Sequence, residues 1–152
     1  QDWNRIYGPA GFLQYQFAVP NEAAHLVPRT LEALRQVGAP SFLTVLKRFG
    51  PSNPAPLSFP IPGWTLAADV PAAVPGLLEA LDQLDEEVAA AGGRLYLAKD
   101  SRQSAAMAKH NAQKLQEWLD AQRLIDPRGV CGSDQSRRIE LFTQSLNTFM
   151  LH

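Results

Sequence analysis

Gly92-Gly93-Arg94-Leu95-Tyr96-Leu97-Ala98-Lys99-Asp100-Ser101-Arg102 is the stretch that decides how the rest of the chain reads. It opens where a long amphipathic pattern stops, because glycine enters the left-handed region without a Cβ clash and so ends helices. A short apolar strand follows, with Leu95 and Leu97 on one face and Arg94, Tyr96 and Ala98 on the other. Ser101 has the chemistry to cap the next helix. Lys99 then lies just past a strand and just before a helix, where a scaffold holds a side chain within reach of solvent or ligand. Position alone leaves it either a functional lysine or an ordinary surface charge.

Upstream of this stretch, residues 73–91 predict a helix with Val74, Leu77, Leu78, Leu81, Leu84 and Val88 as its apolar stripe. Pro75 suits its first turn, and Asp82, Asp85, Glu86 and Glu87 form a solvated face. Residues 63–70 predict a strand with Trp64, Leu66, Ala68 and Val70 on the apolar face and Thr65, Ala67 and Asp69 on the other. Residues 50–62 carry prolines at 51, 54, 56, 60 and 62, too many for a ladder, and read as a stiff loop. Residues 41–49 are apolar on both faces and predict a central strand, with Lys47 and Arg48 at its end on opposite faces. A helix is expected from an Asn21 cap to about Val37, with Ala24, Val27, Leu31, Leu34 and Val37 recurring at helical spacing. Pro28 should kink or restart it, and Gly38 stops it. Residues 12–19 alternate as a strand, Leu13, Tyr15, Phe17 and Val19 against Gln14 and Gln16. Two amides side by side either meet water or grip a polyhydroxylated or ring-nitrogen ligand, since each both donates and accepts. Residues 1–11 read as an irregular entry.

The resulting order is strand, helix, strand, strand, helix, strand. That is the ferredoxin-like βαββαβ pattern of an α+β fold, an antiparallel sheet with both helices on one face. The other face then carries Gln14, Gln16, Thr65, Asp69 and Lys47, must face water or a partner, and is a reasonable ligand wall. Downstream, residues 103–124 predict one or two helical segments with Leu115, Trp118, Leu119 and Leu124 as apolar positions. Asp126-Pro127 ends them, Ser133 caps a last helix from Asp134 to Phe142, and residues 143–152 fray.

Composition removes several functions. The 152 residues suffice for a real core, and a net charge of −1 supplies no general field for nucleic acid. No apolar run approaches a membrane span, and no signal peptide is evident. The chain opens on Gln1 rather than Met, so it reads as a piece of something longer, and its location is left open between cytoplasm and envelope membrane. His25, His110 and His152 have no metal-ligand spacing, so no metal site is expected. Cys131, the single cysteine, lacks a neighbouring histidine and reads as a small core residue rather than a nucleophile. No dinucleotide fingerprint, Walker loop or nucleophile elbow occurs.

Five runs support a resemblance: Gly11-Phe12-Leu13-Gln14-Tyr15-Gln16-Phe17, Val45-Leu46-Lys47-Arg48-Phe49-Gly50, Pro56-Leu57-Ser58-Phe59-Pro60-Ile61-Pro62-Gly63-Trp64, the opening stretch, and Ser133-Asp134-Gln135-Ser136-Arg137-Arg138-Ile139-Glu140-Leu141. From about Trp3 to Phe142 the chain resembles the C-terminal part of the decaprenylphosphoryl-β-D-ribose oxidases, a family within the vanillyl-alcohol oxidase class of FAD-linked oxidoreductases. The resemblance implies oxidation of a sugar hydroxyl on a polyprenyl-phosphate carrier to a ketone. Hydride passes to FAD, and an NAD-dependent reductase partner completes an epimerisation used in cell-wall arabinan synthesis. It implies substrate-side roles for Gln14, Gln16, Lys47, Thr65 and Asp69. Lys99 is implied as the catalytic lysine reaching both flavin and substrate, and Tyr96 as packing at the flavin. A cation beside the isoalloxazine stabilises the charge that develops on reduction.

In several family members Asn and Cys stand where this chain has Thr65 and Ala67, so chemistry needing a thiol at that wall is absent here and the exact sugar is left open. The resemblance also implies that residues 1–93 form a substrate-binding domain. Residues 94–152 would return to pack on an N-terminal FAD domain that this chain does not include. The chain alone is then expected neither to hold FAD tightly nor to turn over, and to expose an apolar patch from Leu95 to Trp118 that favours self-association. Two other readings stay open. One is a free-standing ferredoxin-like ligand-binding or regulatory module, the other an assembly subunit of a separate flavin protein.

Overall fold

The computed structural model describes residues 8–112 and 114–141, which form two compact units. The first comprises the residues up to Asn53 together with Phe59–Ser101. It contains β1 (Phe12–Pro20), a 3₁₀ turn (Asn21–Ala23), α1 (Leu26–Gln36), β2 (Leu43–Phe49), β3 (Gly63–Pro71), α2 (Leu77–Ala90), β4 (Arg94–Leu95) and a 3₁₀ turn at Leu97–Lys99. All strand pairings are antiparallel and the order across the sheet is β2-β3-β1-β4, the ferredoxin-like arrangement anticipated from the element order. This compact unit extends to Ser101, with Arg94 and Leu95 paired with Ala18 and Phe17.

The two faces of β1 and β3 have different fates. Phe17, Val19, Leu66 and Val70 are at most 1% exposed and pack with Leu34, Leu77, Leu81, Leu84 and Val88 of the helices. Each such burial stabilises by about 1.5–3 kcal/mol. The helices lie side by side, tied at the surface by an Arg29–Glu87 ion pair of 2.8 Å. A Cβ on Gly63 would sit 2.0 Å from the Val19 carbonyl oxygen, so only glycine lets β3 start against the end of β1. At the other end of the unit, Gly92 (φ +71°) closes α2 as a Schellman motif. Its N–H bonds the Ala89 carbonyl at 2.9 Å, and that of Gly93 bonds Val88 at 2.8 Å.

Several elements depart from the sequence reading. Asn21 opens a 3₁₀ turn rather than capping α1, which restarts at Leu26 and so puts Pro28 in a first turn whose N–H groups have no intrahelical partner. The restart shifts the buried stripe to Leu26, Thr30, Ala33 and Leu34 and leaves Leu31 exposed. β2 is an edge strand, not a central one. Its apolar residues on two faces reflect two surroundings: Leu43 and Val45 wall a cavity, whereas Leu46 is 50% exposed at the edge. α2 starts only at Leu77, leaving Pro75 outside it and Leu78 exposed. Asp85 is buried rather than solvated. β4 keeps two residues, and Leu97 and Ala98 turn away in the 3₁₀ segment.

The second unit comprises Pro54–Ser58 and the residues from Arg102 onward. The helical stretch is two segments, α3 (Ala105–Asn111) and α4 (Leu115–Ile125), followed by α5 (Asp134–Arg138). Ser104, not Ser101, caps α3, its hydroxyl accepting from Met107 N–H at 3.1 Å. Ser133 caps α5 as expected, in a reciprocal capping box with Ser136. α5 ends at Arg138, short of the expected Phe142: residues 139–141 are turn and bend, with Glu140 at φ +55°, and not helix. Phe142 itself and the fraying of 143–152 lie outside the described residues, as does most of the entry. Cys131 is exposed and is not a core residue. The anticipated Leu95–Trp118 patch is not where the apolar exposure falls. Leu95 is buried, and the most exposed large apolar side chains are Leu124, Ile125 and Val130. Among the described residues no helix is long and apolar enough to cross a membrane, and no cluster of three or more His, Cys, Asp or Glu could hold a metal.

Candidate functional site

The helix-free face of the sheet is a grid set by register. Gln14 pairs with Asp69 and Asp69 with Leu43; Gln16 pairs with Ala67 and Ala67 with Val45; Ala18 pairs with Thr65 and Thr65 with Lys47. Because side chains alternate across a strand, these three rows point the same way. Rows lie about 6.6 Å apart along the strands and neighbours about 4.8 Å apart across them. All of these residues except Ala18, together with Lys99, line a cavity of about 250 Å³ in the sheet unit.

One end of the face is closed. Ala18 is fully buried beneath Phe59 and Ile61, with Phe49 and Tyr96 packed against them. Phe59 stacks on Tyr96 with ring centroids 4.6 Å apart and meets Phe49 edge-on at 5.7 Å. Phe59 and Ile61, which lead into β3, therefore supply apolar bulk to that end of the sheet.

Inside the cavity the polar groups are wired together. Lys99 Nζ donates to Gln14 Oε1 at 2.7 Å, and Gln14 Nε2 donates to Asp69 Oδ1 at 2.8 Å. An ammonium only donates and a carboxylate only accepts, so the two ends fix which way the Gln14 amide points. Asp69 is 6% exposed, which makes the pairing charge-assisted and shielded. A second amide, Gln16, donates from Nε2 to Thr65 Oγ1 at 3.2 Å along the diagonal of the grid.

Lys99 reaches this face because β4 is short. The Tyr96 N–H bonds the Gln16 carbonyl at 3.0 Å, after which the 3₁₀ turn carries the chain over the sheet. Lys47 arrives from the opposite flank, on the edge strand. The wall thus holds two ammonium groups and one carboxylate.

The sequence-predicted substrate residues Gln14, Gln16, Lys47, Thr65 and Asp69 and the predicted catalytic Lys99 all line this one cavity. Tyr96 does not; it sits beside it in the aromatic cluster. Leu43 and Val45 are wall residues that the sequence reading passed over, although they share the parity of Lys47 on their strand.

A four-stranded antiparallel sheet with helices on one face and a polar cavity on the other defines an α+β domain with a candidate binding wall. More particularly, the sequence is 49% identical over 140 residues to decaprenylphosphoryl-beta-D-ribose oxidase of Mycolicibacterium smegmatis, a match covering 92% of this chain and 30% of that protein. It is 37% identical over 131 residues to an uncharacterized protein in the mprA 5′ region of Streptomyces coelicolor, covering 86% of this chain and 36% of that one. The chain therefore spans about a third of the length of these curated relatives. The resemblance carried by the five runs holds: over nearly all its length this chain is similar to part of such an oxidase. No protein-family model matches it.

Proposed function

We propose that this chain is the C-terminal, substrate-domain portion of an FAD-dependent oxidoreductase that oxidises a hydroxyl of a polyprenylphosphoryl-linked sugar, of the decaprenylphosphoryl-ribose kind, to the ketone. The observation that carries this reading is the hydrogen-bonded run from Lys99 through Gln14 to Asp69 along the cavity wall. A cavity of about 250 Å³ is smaller than the roughly 300–1,000 Å³ of drug-sized sites, which suits a sugar ring and leaves a long lipid outside.

Oxidising a secondary alcohol removes a hydride from carbon and a proton from oxygen. When bound, FAD supplies the two-electron acceptor for that hydride. The donor set fits a flavin: Lys99 presents a cation at an open sheet face, and the half-buried Tyr96 lies three residues away in an aromatic stack. These two residues would meet it, and the remainder of such an oxidase would hold its pyrophosphate. Lys99 Nζ spends one N–H on Gln14 Oε1 and has others for the reacting sugar oxygen, stabilising the alkoxide character that oxygen takes on as its proton departs to solvent and before the hydride leaves carbon. The amides of Gln14 and Gln16 retain acceptor and donor capacity for the remaining hydroxyls and orient the ring. A reductase partner that returns the ketone to the epimeric alcohol, as in arabinan precursor synthesis, belongs to the same proposal. The test is anaerobic addition of decaprenylphosphoryl-ribose to the full-length protein. Bleaching of the flavin absorbance with formation of the keto sugar is expected, and a spectrum unchanged by substrate would overturn the reading.

A further inference from the structure

Resting on that oxidoreductase reading, we infer that Lys47 and Thr65 form a phosphodiester subsite at the open flank of the cavity, with Leu43 and Val45 as the first contacts of the lipid chain that leaves it. The charges of the wall carry this. Asp69 and Lys99 are both engaged with Gln14, whereas Lys47 makes no hydrogen bond or ion pair among the described residues. Asp69 cannot serve it: Lys47 stands opposite Thr65 and Leu43 opposite Asp69, four residues along the strand. At about 3.3 Å per residue the two rows are about 13 Å apart. Lys47 is exposed on the edge strand while lining the cavity, so its ammonium is available to an anion that a ligand brings.

Thr65 supplies a second donor. It is 2% exposed, lines the cavity, and its Oγ1 accepts from Gln16, which leaves the hydroxyl hydrogen to be donated. An ammonium and a hydroxyl on directly opposed residues match two oxygens of one phosphate group. Both are on the side of the sheet that ends in the edge strand, so a chain leaving the phosphate crosses no further strand. What it meets there is apolar: Val45 and Leu43 share the face with Lys47, and Leu43 and the adjoining Phe42 are 44% and 57% exposed. The sugar then lies toward Gln14 and Lys99, the phosphate at Lys47 and the lipid over β2.

The test uses the full-length protein and two ligands of equal chain length, farnesylphosphoryl-ribose and the uncharged farnesyl riboside, with dissociation constants read by calorimetry. Wild type should favour the phosphorylated ligand by about tenfold or more, the scale of a charge-assisted hydrogen bond, and the preference should shrink as salt rises. Lys47→Ala should erase the preference, Lys47→Arg should keep most of it, and Thr65→Val should reduce it. A Lys47→Ala protein with the wild-type preference, or one that loses affinity for both ligands equally, overturns the inference. Turnover is scored separately. Binding preference that depends on Lys47 without oxidation of the phosphorylated ligand would sink the oxidoreductase reading and leave the subsite standing.

Discussion

Asp69→Ala removes the acceptor that holds Gln14 in one orientation. In the native wall the Gln14 amide runs from Lys99 Nζ at 2.7 Å to Asp69 Oδ1 at 2.8 Å, with Asp69 6% exposed. Without the carboxylate, Gln14 Nε2 loses its partner, and the Lys99 ammonium alone is left to hold the amide, whose position on the wall is then less firmly fixed. A shielded hydrogen bond to a charged group contributes about 1.5–3 kcal/mol. If that is transmitted to the reacting geometry, flavin reduction slows by roughly ten- to a hundredfold, at about 1.4 kcal/mol per decade. Asp69→Asn keeps the shape and one acceptor oxygen, so a neutral bond of about 0.5–1.5 kcal/mol survives and the loss should stay within about tenfold. The assay is anaerobic stopped-flow reduction of the full-length protein by decaprenylphosphoryl-ribose, with a melting curve run alongside to show that each variant is folded. Asp69→Ala reducing at the wild-type rate, with the wild-type substrate affinity, would refute the wiring argument.

Three further outcomes test the scaffold. Gly63→Ala should destabilise by about 3 kcal/mol or more in denaturant titrations, since its Cβ would lie 2.0 Å from a backbone oxygen and cannot be accommodated by a rotamer change. Leu46→Thr should cost less than about 1 kcal/mol, because Leu46 is half exposed on an edge strand, whereas Leu66→Thr, at 1% exposure directly across the ladder, should cost about 2–5 kcal/mol. Asp126 accepts from the Cys131 and Val130 amides at 2.7 and 3.0 Å, and these bonds, Cys131 first, hold its carboxyl below the usual carboxylate range. Because the folded pKa is the lower one, the loop gains its stabilisation above about pH 4 and loses it as pH falls through the folded value. Amide exchange at 130 and 131 should therefore be faster in Asp126→Ala at neutral pH, and the two proteins should converge in acid.

The fold was legible where side-chain alternation and glycine chemistry agreed. Gln14 and Gln16 between Leu13, Tyr15 and Phe17 could only be one face of a half-covered strand, and Gly92-Gly93 could only end a helix. The position of β2 was not legible, since apolar residues on both faces look the same whether the second layer is another strand or a cavity wall and an exposed edge. The phase of α1 was hidden by Pro28, whose effect depends on which turn it occupies. Of the candidate site, parity alone brought Gln14, Gln16, Thr65 and Asp69 together, and the same parity extended to Leu43 and Val45 would have found the rest of the wall. Periodicity says nothing of Lys99 returning over the sheet to Gln14, because that return depends on β4 stopping after two residues. For Lys99 the family resemblance supplied what the local pattern could not.

With the ammonium on Gln14 facing the reacting sugar oxygen, Lys99→Ala in the full-length, flavin-loaded protein removes the donor that oxygen meets. The variant should keep its bound flavin but be reduced by decaprenylphosphoryl-ribose at least about a hundredfold more slowly, the scale of removing one preorganised donor from a developing oxyanion. Reduction at the wild-type rate would contradict that role.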